Sequence, residues 1–481
     1  MRFIVFFIVI FVAACGEISL PNGKKPDELV VLTFNGASTY SIDQATGETG
    51  FDYDLVNLYA QEQGLKLRII VARSDKDIAK RLKNGEGHLA AAWLTAPDDR
   101  DLRSSIPYFQ SQNVLITHEA SLPLTDIKQL AHKTVHVVSG SRQETELREL
   151  AKSIPDIKII SERGKNELDL MENLATRHSE AALIDNAEFN IGSNFYPELQ
   201  VSLKIGSAKP VVWLFAPQIA PEMLDRANAF LQRVAESGEL DQLKDRYFGH
   251  VERLSTADIV RFIEQMRSTL PLHRAQFQAA QVSTGIDWRL LAALAYQESQ
   301  WNPLATSRTG VRGMMMLTED TADHLGVSNR LDPKESIMAG ARYLAELRDG
   351  LPTSIGEPDR LWLSLAAYNL GMGHLNAGRH IARTRNANPD SWYEMKKVLP
   401  LLAKPQFYSR LKSGKGRGGE AVIMTENIRV YVDILNRHEA PYSPYERIPE
   451  KIAGGHYRPL HPPPPYTPRP PAQHTANGHR L

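Results

Sequence analysis

The stretch LAALAYQESQWNP, Leu291–Pro303, decides how the second half of the chain is read. Just before it, Asp287 stands where a helix N-cap belongs, with Trp288 and Arg289 in the first turn. Leu290, Leu291, Ala292, Ala293, Leu294 and Ala295 then leave no polar face, and a helix that is apolar all round is a buried one. Glu298 therefore sits at the C-terminal end of a buried helix. Desolvation and the negative end of the helix dipole both disfavour its charged form. A carboxyl group that keeps its proton near neutral pH is what a general acid needs to break a glycosidic bond. A glutamate reaching from a helix end into solvent also fits, and the stretch alone leaves both readings open.

Outward from this helix, the segments from Thr256 to about Asn436 read as helices separated by Gly and Pro. Examples are TADIVRFIEQMRSTL, PKESIMAGARYLAELRDG, RLWLSLAAYNLG and AVIMTENIRVYVDILNR. The first half is different. ELVVLTF, LKLRIIVA and HLAAAWL (88–94) read as strands alternating with helical FDYDLVNLYAQEQG and DKDIAKRLKNG, and the alternation then restarts with NVLITH and KTVHVVS. LQVSLKI and KPVVWLFA add two more strands. Two α/β units in one stretch predict two lobes with a cleft between them. The expected organisation is a leader at 1–15, a tether at 16–27, a two-lobed α/β domain at 28–250, an α-helical domain at 251–438, and a proline-rich tail at 439–481. No internal repeat is present.

Lys plus Arg equals Asp plus Glu at 56 each, so no overall field would hold the protein on nucleic acid, and nucleic acid is excluded as a partner. The 42% hydrophobic and 23% charged residues are those of a globular protein. At the N-terminus, Arg2 precedes an apolar run from Phe3 to Val12, then Ala13, Ala14 and Cys15. The run is too short to span a membrane and fits the core of a secretory signal. Small residues before a cysteine resemble the bacterial lipobox, although Val12 stands where that motif usually has Leu. The resemblance implies that Cys15 is lipidated, and Gly16 after it points to the outer membrane. Cys15 is the only cysteine, so no internal disulfide competes for it.

In the first half, GFDYDLV (50–56) is followed by TAPDDRDLRSSIPYF (95–109), VVSGS (137–141), AALIDN (181–186) and LKDRYFG (243–249). Read locally, Asp52 is a helix N-cap with Asp54 in the first turn. The motifs in this order resemble the extracellular solute-binding proteins for polar amino acids, which implies a two-lobed periplasmic-binding fold that closes on a small ligand. By that resemblance Arg100 would grip a ligand carboxylate through its bidentate fork, Ser141 would add donors at a helix N-terminus, and Asp185 would accept from a ligand ammonium.

In the second half, WNPLATSRTGVRGMMMLT carries turn residues and a methionine run, and SLAAYNLG ends a second buried helix in Tyr368 and Asn369. A hydroxyl and an amide there suit an N-acetyl group, and a structural hydrogen bond explains them equally well. Together AYQESQWNP, SRTGVRGMMMLT, AAYNLG and ENIRVY resemble the lysozyme-like catalytic domain of family 1 lytic transglycosylases over Ile286 to Leu435. A lipid-anchored solute-binding domain joined to such a domain is similar to a membrane-bound subgroup of that family.

The resemblance implies a lyase acting on peptidoglycan glycan strands. Glu298 would protonate the oxygen between N-acetylmuramic acid and N-acetylglucosamine, then act as base on the muramyl C6 hydroxyl to close a 1,6-anhydro ring. Ser299 would orient Glu298 or the sugar, Tyr368 and Asn369 would hold the N-acetyl group, Met315 would line the floor, and Asn427 would contact sugar. Met424 stands where the family often has tyrosine. Glu319, Asp320 and Asp323, carboxylates within reach along the chain, read as first-turn dipole partners. The lobe pair would bind a wall-derived muropeptide or amino acid and regulate catalysis. No cofactor is called for, and the 15 histidines show no metal-ligand spacing. The alternatives are a lysozyme-type hydrolase and a non-catalytic solute or wall-binding receptor.

Overall fold

The computed structural model describes residues 28–443, apart from 44–46 and Asp98, Arg100, Pro123, Glu252, Arg308 and Arg410. Cys15, Arg100, the leader, the tether and most of the tail lie outside the described residues.

Glu28–Thr33 is a buried strand, paired in parallel with Lys66–Val71 on one side and Leu89–Ala90 on the other. Antiparallel Leu214–Phe215 and then Arg103–Ser104 complete this first sheet. The second sheet runs in the order Leu199–Val211, Phe109–His118, Ala181–Asp185, Thr134–Val138, Lys158–Glu162. The chain leaves the first sheet after Ser104 and returns at Leu214, so two crossings join two lobes. Each lobe has a core of its own: Phe51, Tyr59, Trp213 and Phe230 are buried in lobe one, and Leu115, Leu130, Val135 and Leu183 in lobe two.

Three local expectations are corrected. HLAAAWL keeps only Leu89–Ala90 as strand, because Trp93 takes a left-handed φ of 55° and donates its backbone N–H to the buried Asp52 carboxylate at 2.7 Å. Asp52 is accordingly not a cap. The helix Phe51–Glu62 starts after Gly50, whose φ of 135° brings its backbone so near the Thr39 carbonyl that a Cβ would lie 2.3 Å from that oxygen. LQVSLKI and the start of KPVVWLFA form one strand, Leu199–Val211, broken by register shifts between Val201/Leu203 and Ile205/Lys209.

From Thr256 onward every described regular element is helical. Trp288–Ser299 is capped by Asp287, which accepts the Arg289 N–H at 2.8 Å, and every residue from Trp288 to Tyr296 is buried. Full burial of each such leucine stabilises by about 1.5–3 kcal/mol, which is why this helix forms the centre of the domain. Around it pack Leu270–Thr284, Pro333–Asp349 and the long helix Gly418–His438, and Asp359–Leu370 packs in turn on the last two. Helices at Met372–Thr384 and Trp392–Val398 had no counterpart in the sequence reading.

The long helix also fastens the two halves together. Arg429, 3% exposed, donates to the Asp245 and Arg246 carbonyls at 2.9 and 2.8 Å, the C-terminal end of helix Glu239–Phe248 in lobe one. Two turns further on, Arg437 donates to the Tyr196 hydroxyl at 2.9 Å and pairs with Glu172 at 3.3 Å in lobe two.

Candidate active site

The helix carrying Glu298 ends abruptly. Gln300 and Trp301 have φ of 53° and 57°, two successive left-handed residues that are not glycine, each costing about 1–3 kcal/mol. The turn is held because the Trp301 ring is buried against Tyr296 and Phe262, with centroids 4.8 and 5.5 Å apart, and its indole N–H donates to the Ala292 carbonyl at 2.8 Å. This reversal leaves Gln297 and Glu298 on the wall of a cleft of about 300 Å³, which is also lined by Asn369, Glu420, Ile423 and Met424. Glu298 is half-buried there, and burial pushes its carboxyl up to about 7.

The methionine run is a loop stitched to three helices through its backbone. The Ser299 hydroxyl donates to the Met314 carbonyl at 2.7 Å, the Tyr368 hydroxyl donates to the Met315 carbonyl at 2.8 Å, and the Met315 N–H donates to the Ser336 hydroxyl at 3.1 Å. Gly313 makes the loop possible: its φ is 84°, and a Cβ would lie 1.8 Å from the Arg330 carbonyl oxygen. Two expectations change. Ser299 spends its proton on the loop rather than on Glu298. The Met315 side chain is not a floor of the cleft but is fully buried against Gly340, whose absent Cβ would stand 2.7 Å away.

Tyr368 lies close enough to Glu298 for that carboxylate to help raise its phenol pKa, after burial as the larger cause. With its proton on Met315, the phenol offers a substrate only oxygen lone pairs, which suit an amide N–H. Asn369 is exposed on the cleft wall. Asn427 reaches the site indirectly, donating to the Gln297 amide oxygen at 3.2 Å.

Other carboxylates fall into three places. Glu420 stands on the rim of the same cleft, exposed and paired with Arg417 at 3.2 Å. Glu319, Asp320 and Asp323 are exposed on the short helix Glu319–His324 capped by Thr318, and none lines the cleft. Glu426 is buried, which alone would raise its pKa, but Arg429, Lys396 and the Trp392 indole hold it below the ordinary value, so it is an ionised structural group. Tyr431 is buried with Phe262 and Tyr296 and does not face the cleft. The lining residues Gln297, Glu420 and Ile423 were missed from sequence, and Met424 was named only as a departure from the family's tyrosine. A signal existed: Glu420, Ile423, Met424 and Asn427 follow the spacing that puts residues on one helix face.

In the lobe pair, Ser141 caps helix Arg142–Ala151 by accepting the Glu144 N–H at 3.2 Å, and its own hydroxyl donates to Val138 at 2.8 Å. Asp185 is buried and already bonded within the chain. It caps helix Asn186–Gly192 through the Ala187 N–H at 2.8 Å and accepts from the Ser111 hydroxyl and from the Arg142 guanidinium at 3.2 Å. The expected ligand contacts of both residues are thus taken by the protein itself. Among the described residues no group of His, Cys, Asp and Glu could hold a metal ion.

With this geometry in hand, two family matches divide the chain as the fold does. Residues 29–250 match bacterial extracellular solute-binding proteins, family 3, and residues 275–391 match the transglycosylase SLT domain. A membrane-bound lytic murein transglycosylase F of Methylobacillus flagellatus is 37% identical over 448 residues, covering 92% of this chain and 95% of that protein. The chain belongs to the membrane-bound lytic murein transglycosylase F family. A second member of this transglycosylase F family, from Nitrosospira multiformis, is 39% identical, covering 91% of this chain and 93% of its own. Among solved structures, an ancestral arginine-binding protein is similar over 46% of this chain and 98% of that one, at 22% identity and a TM-score of 0.42. The transglycosylase F architecture is therefore a two-lobed α/β solute-binding domain followed by an α-helical SLT domain. No helix among the described residues is long and apolar enough to cross a membrane.

Proposed function

We propose that this chain cleaves the β-1,4 bond between N-acetylmuramic acid and N-acetylglucosamine in peptidoglycan without consuming water. The observation that carries the reading is Glu298: a carboxyl on a cleft wall, raised to about 7 by burial, at the end of the domain's central helix. As general acid it gives its proton to the glycosidic oxygen while the bond to muramyl C1 breaks. As the resulting carboxylate it takes the proton of the muramyl C6 hydroxyl, whose oxygen bonds to C1 and closes the 1,6-anhydro ring. Glu298 ends protonated, ready for another cycle, and no atom of water enters. The Tyr368 phenol oxygen accepts the N–H of the acetamido group, and Asn369 on the wall gives an amide for its carbonyl. Ser299 and Met315 act through the loop that presents the Met315 carbonyl to Tyr368, and Asn427 sets the Gln297 amide.

A lipid on Cys15 holds the chain at the periplasmic face of the outer membrane. The lobe pair serves a small wall-derived ligand with both charges of an amino acid or peptide. Digestion of purified peptidoglycan by the full chain and by Glu298→Gln tests the enzymatic reading. Soluble muropeptides are expected from the first and at least about a hundredfold fewer from the second; equal release would remove Glu298 from the mechanism.

A further inference from the structure

The cleft between the lobes contains a helix N-terminus and a buried carboxylate, the two features that would take the anion and the cation of a zwitterion. Both are occupied by the chain. The N-terminus of helix Arg142–Ala151, in lobe two, faces the carboxylate of Asp75 from lobe one, which burial raises to about 6 against the lowering pull of the Arg142 charge and backbone N–H. The buried carboxylate, Asp185, holds the guanidinium of Arg142, which also donates to the Asn113 amide oxygen at 2.9 Å and to Ser111. The Asp75 and Arg142 charges also face one another.

The contact is built into the backbone. Asp75 donates its N–H to the Gly140 carbonyl at 3.1 Å across the cleft. Gly140 has a φ of 76°, and a Cβ there would come within 2.5 Å of the Ser74 Cβ, so only glycine lets lobe one approach this far. A second cross-lobe bond joins the Ser38 N–H to the Glu188 carboxylate at 2.8 Å. Trp93 of lobe one also faces Asp185, without a well-formed hydrogen bond.

We propose that Asp75 and Arg142 are a built-in ligand: they occupy the anion and cation subsites of the cleft and hold the lobes closed when no free ligand is bound. A free amino acid then binds only by displacing both, against tethered groups whose effective concentration is on the order of millimolar or above. The inference goes beyond the lytic activity and qualifies the ligand reading, since it makes the resting state of the lobe pair the closed one.

The test uses the full chain in detergent with spin labels on cysteines replacing Ile42 in lobe one and Leu122 in lobe two, which are 70% and 89% exposed, and a Cys15-only control. The probe is L-arginine, which carries a carboxylate and a guanidinium. A single narrow distance at the closed-lobe value, unmoved by millimolar L-arginine, is expected. A broad or longer distribution that narrows on adding L-arginine overturns the proposal. Calorimetric titration of L-arginine into Asp75→Asn/Arg142→Gln is expected to show affinity raised roughly tenfold or more over wild type. A folded double variant that binds no better, with unchanged lobe distance, also overturns it; if that variant fails to fold, the wild-type distance decides alone. Neither readout uses glycan, so the lytic reading stands or falls separately.

Discussion

Replacing Glu298 with Gln should make the protein more stable, and only above a certain pH. The carboxyl is raised by burial from 4.5 in the unfolded chain to about 7 in the fold, so the folded state binds this proton more tightly than the unfolded state does. Below pH 4.5 both states are protonated, and the group contributes no pH-dependent difference. As pH rises from 4.5 through 7 the unfolded chain ionises first, and wild-type stability falls. Above 7 both states are ionised, and the fold carries the whole cost of a desolvated carboxylate. At 1.36 kcal/mol per pKa unit that cost has a ceiling of about 3 kcal/mol, and a half-buried group open to cleft water should show about 2. Gln keeps the shape and cannot ionise. For a domain of this size the gain corresponds to roughly 4–8 °C in melting temperature at pH 8, shrinking to nothing near pH 4.5. Calorimetric melting of both proteins at several pH values measures it through the SLT-domain transition. A difference independent of pH, or one that grows toward acid, would refute the claim that burial without a compensating cation sets the state of Glu298.

Three other substitutions separate the parts of the site. Tyr368→Phe leaves the Met315 carbonyl without its 2.8 Å donor and should cost about 1–3 kcal/mol of stability as well as lytic rate, whereas Asn369→Ala, on an exposed residue, should lower rate with a change in melting of less than about 0.5 kcal/mol. Gly313→Ala drives a Cβ into the Arg330 carbonyl and should destabilise by roughly 2–4 kcal/mol, while Gly310→Ala, with the same sign of φ but open space around it, should cost about 1–2; thermal melts of the pair isolate the clash from the strain. Arg429→Met removes the charge that ties the long helix to lobe one and leaves Glu426 with Lys396 at 3.5 Å as its remaining cation. A loss of about 3 kcal/mol and separate unfolding of the two domains by calorimetry are expected.

The run from Leu290 to Ala295 could be read as a buried helix because an apolar period leaves nowhere for water, and Glu298 inherited its environment from that fact. The same logic found the alternating strands of the lobes. It failed where the deciding contact is distant in sequence. Trp93 leaves its strand for Asp52, and Asp52 is buried by Tyr108, whose hydroxyl reaches it at 2.6 Å. No local pattern shows that. The helices Met372–Thr384 and Trp392–Val398 went unread although a period was present: Leu375, Gly378, Ile381 and Ala382 in the first and Trp392, Met395 and Val398 in the second stand at helical spacing and are buried. The family resemblance placed Met315 on the floor of the cleft; only the packing on Gly340 shows that the backbone, and not the side chain, serves the site. Asp75 and Arg142 had ordinary first-turn positions and no signal at all until the two lobes were brought together.

The central claim is that one carboxyl acts as acid and then base, with no water in the product. Digestion of purified peptidoglycan in water enriched in oxygen-18, followed by mass spectrometry of the released muropeptides, tests it most directly. The account predicts muramyl ends one water lighter than hydrolysed ends and free of the heavy isotope, and their loss in Glu298→Gln. Muramyl ends carrying oxygen-18 would contradict it and make the enzyme a hydrolase.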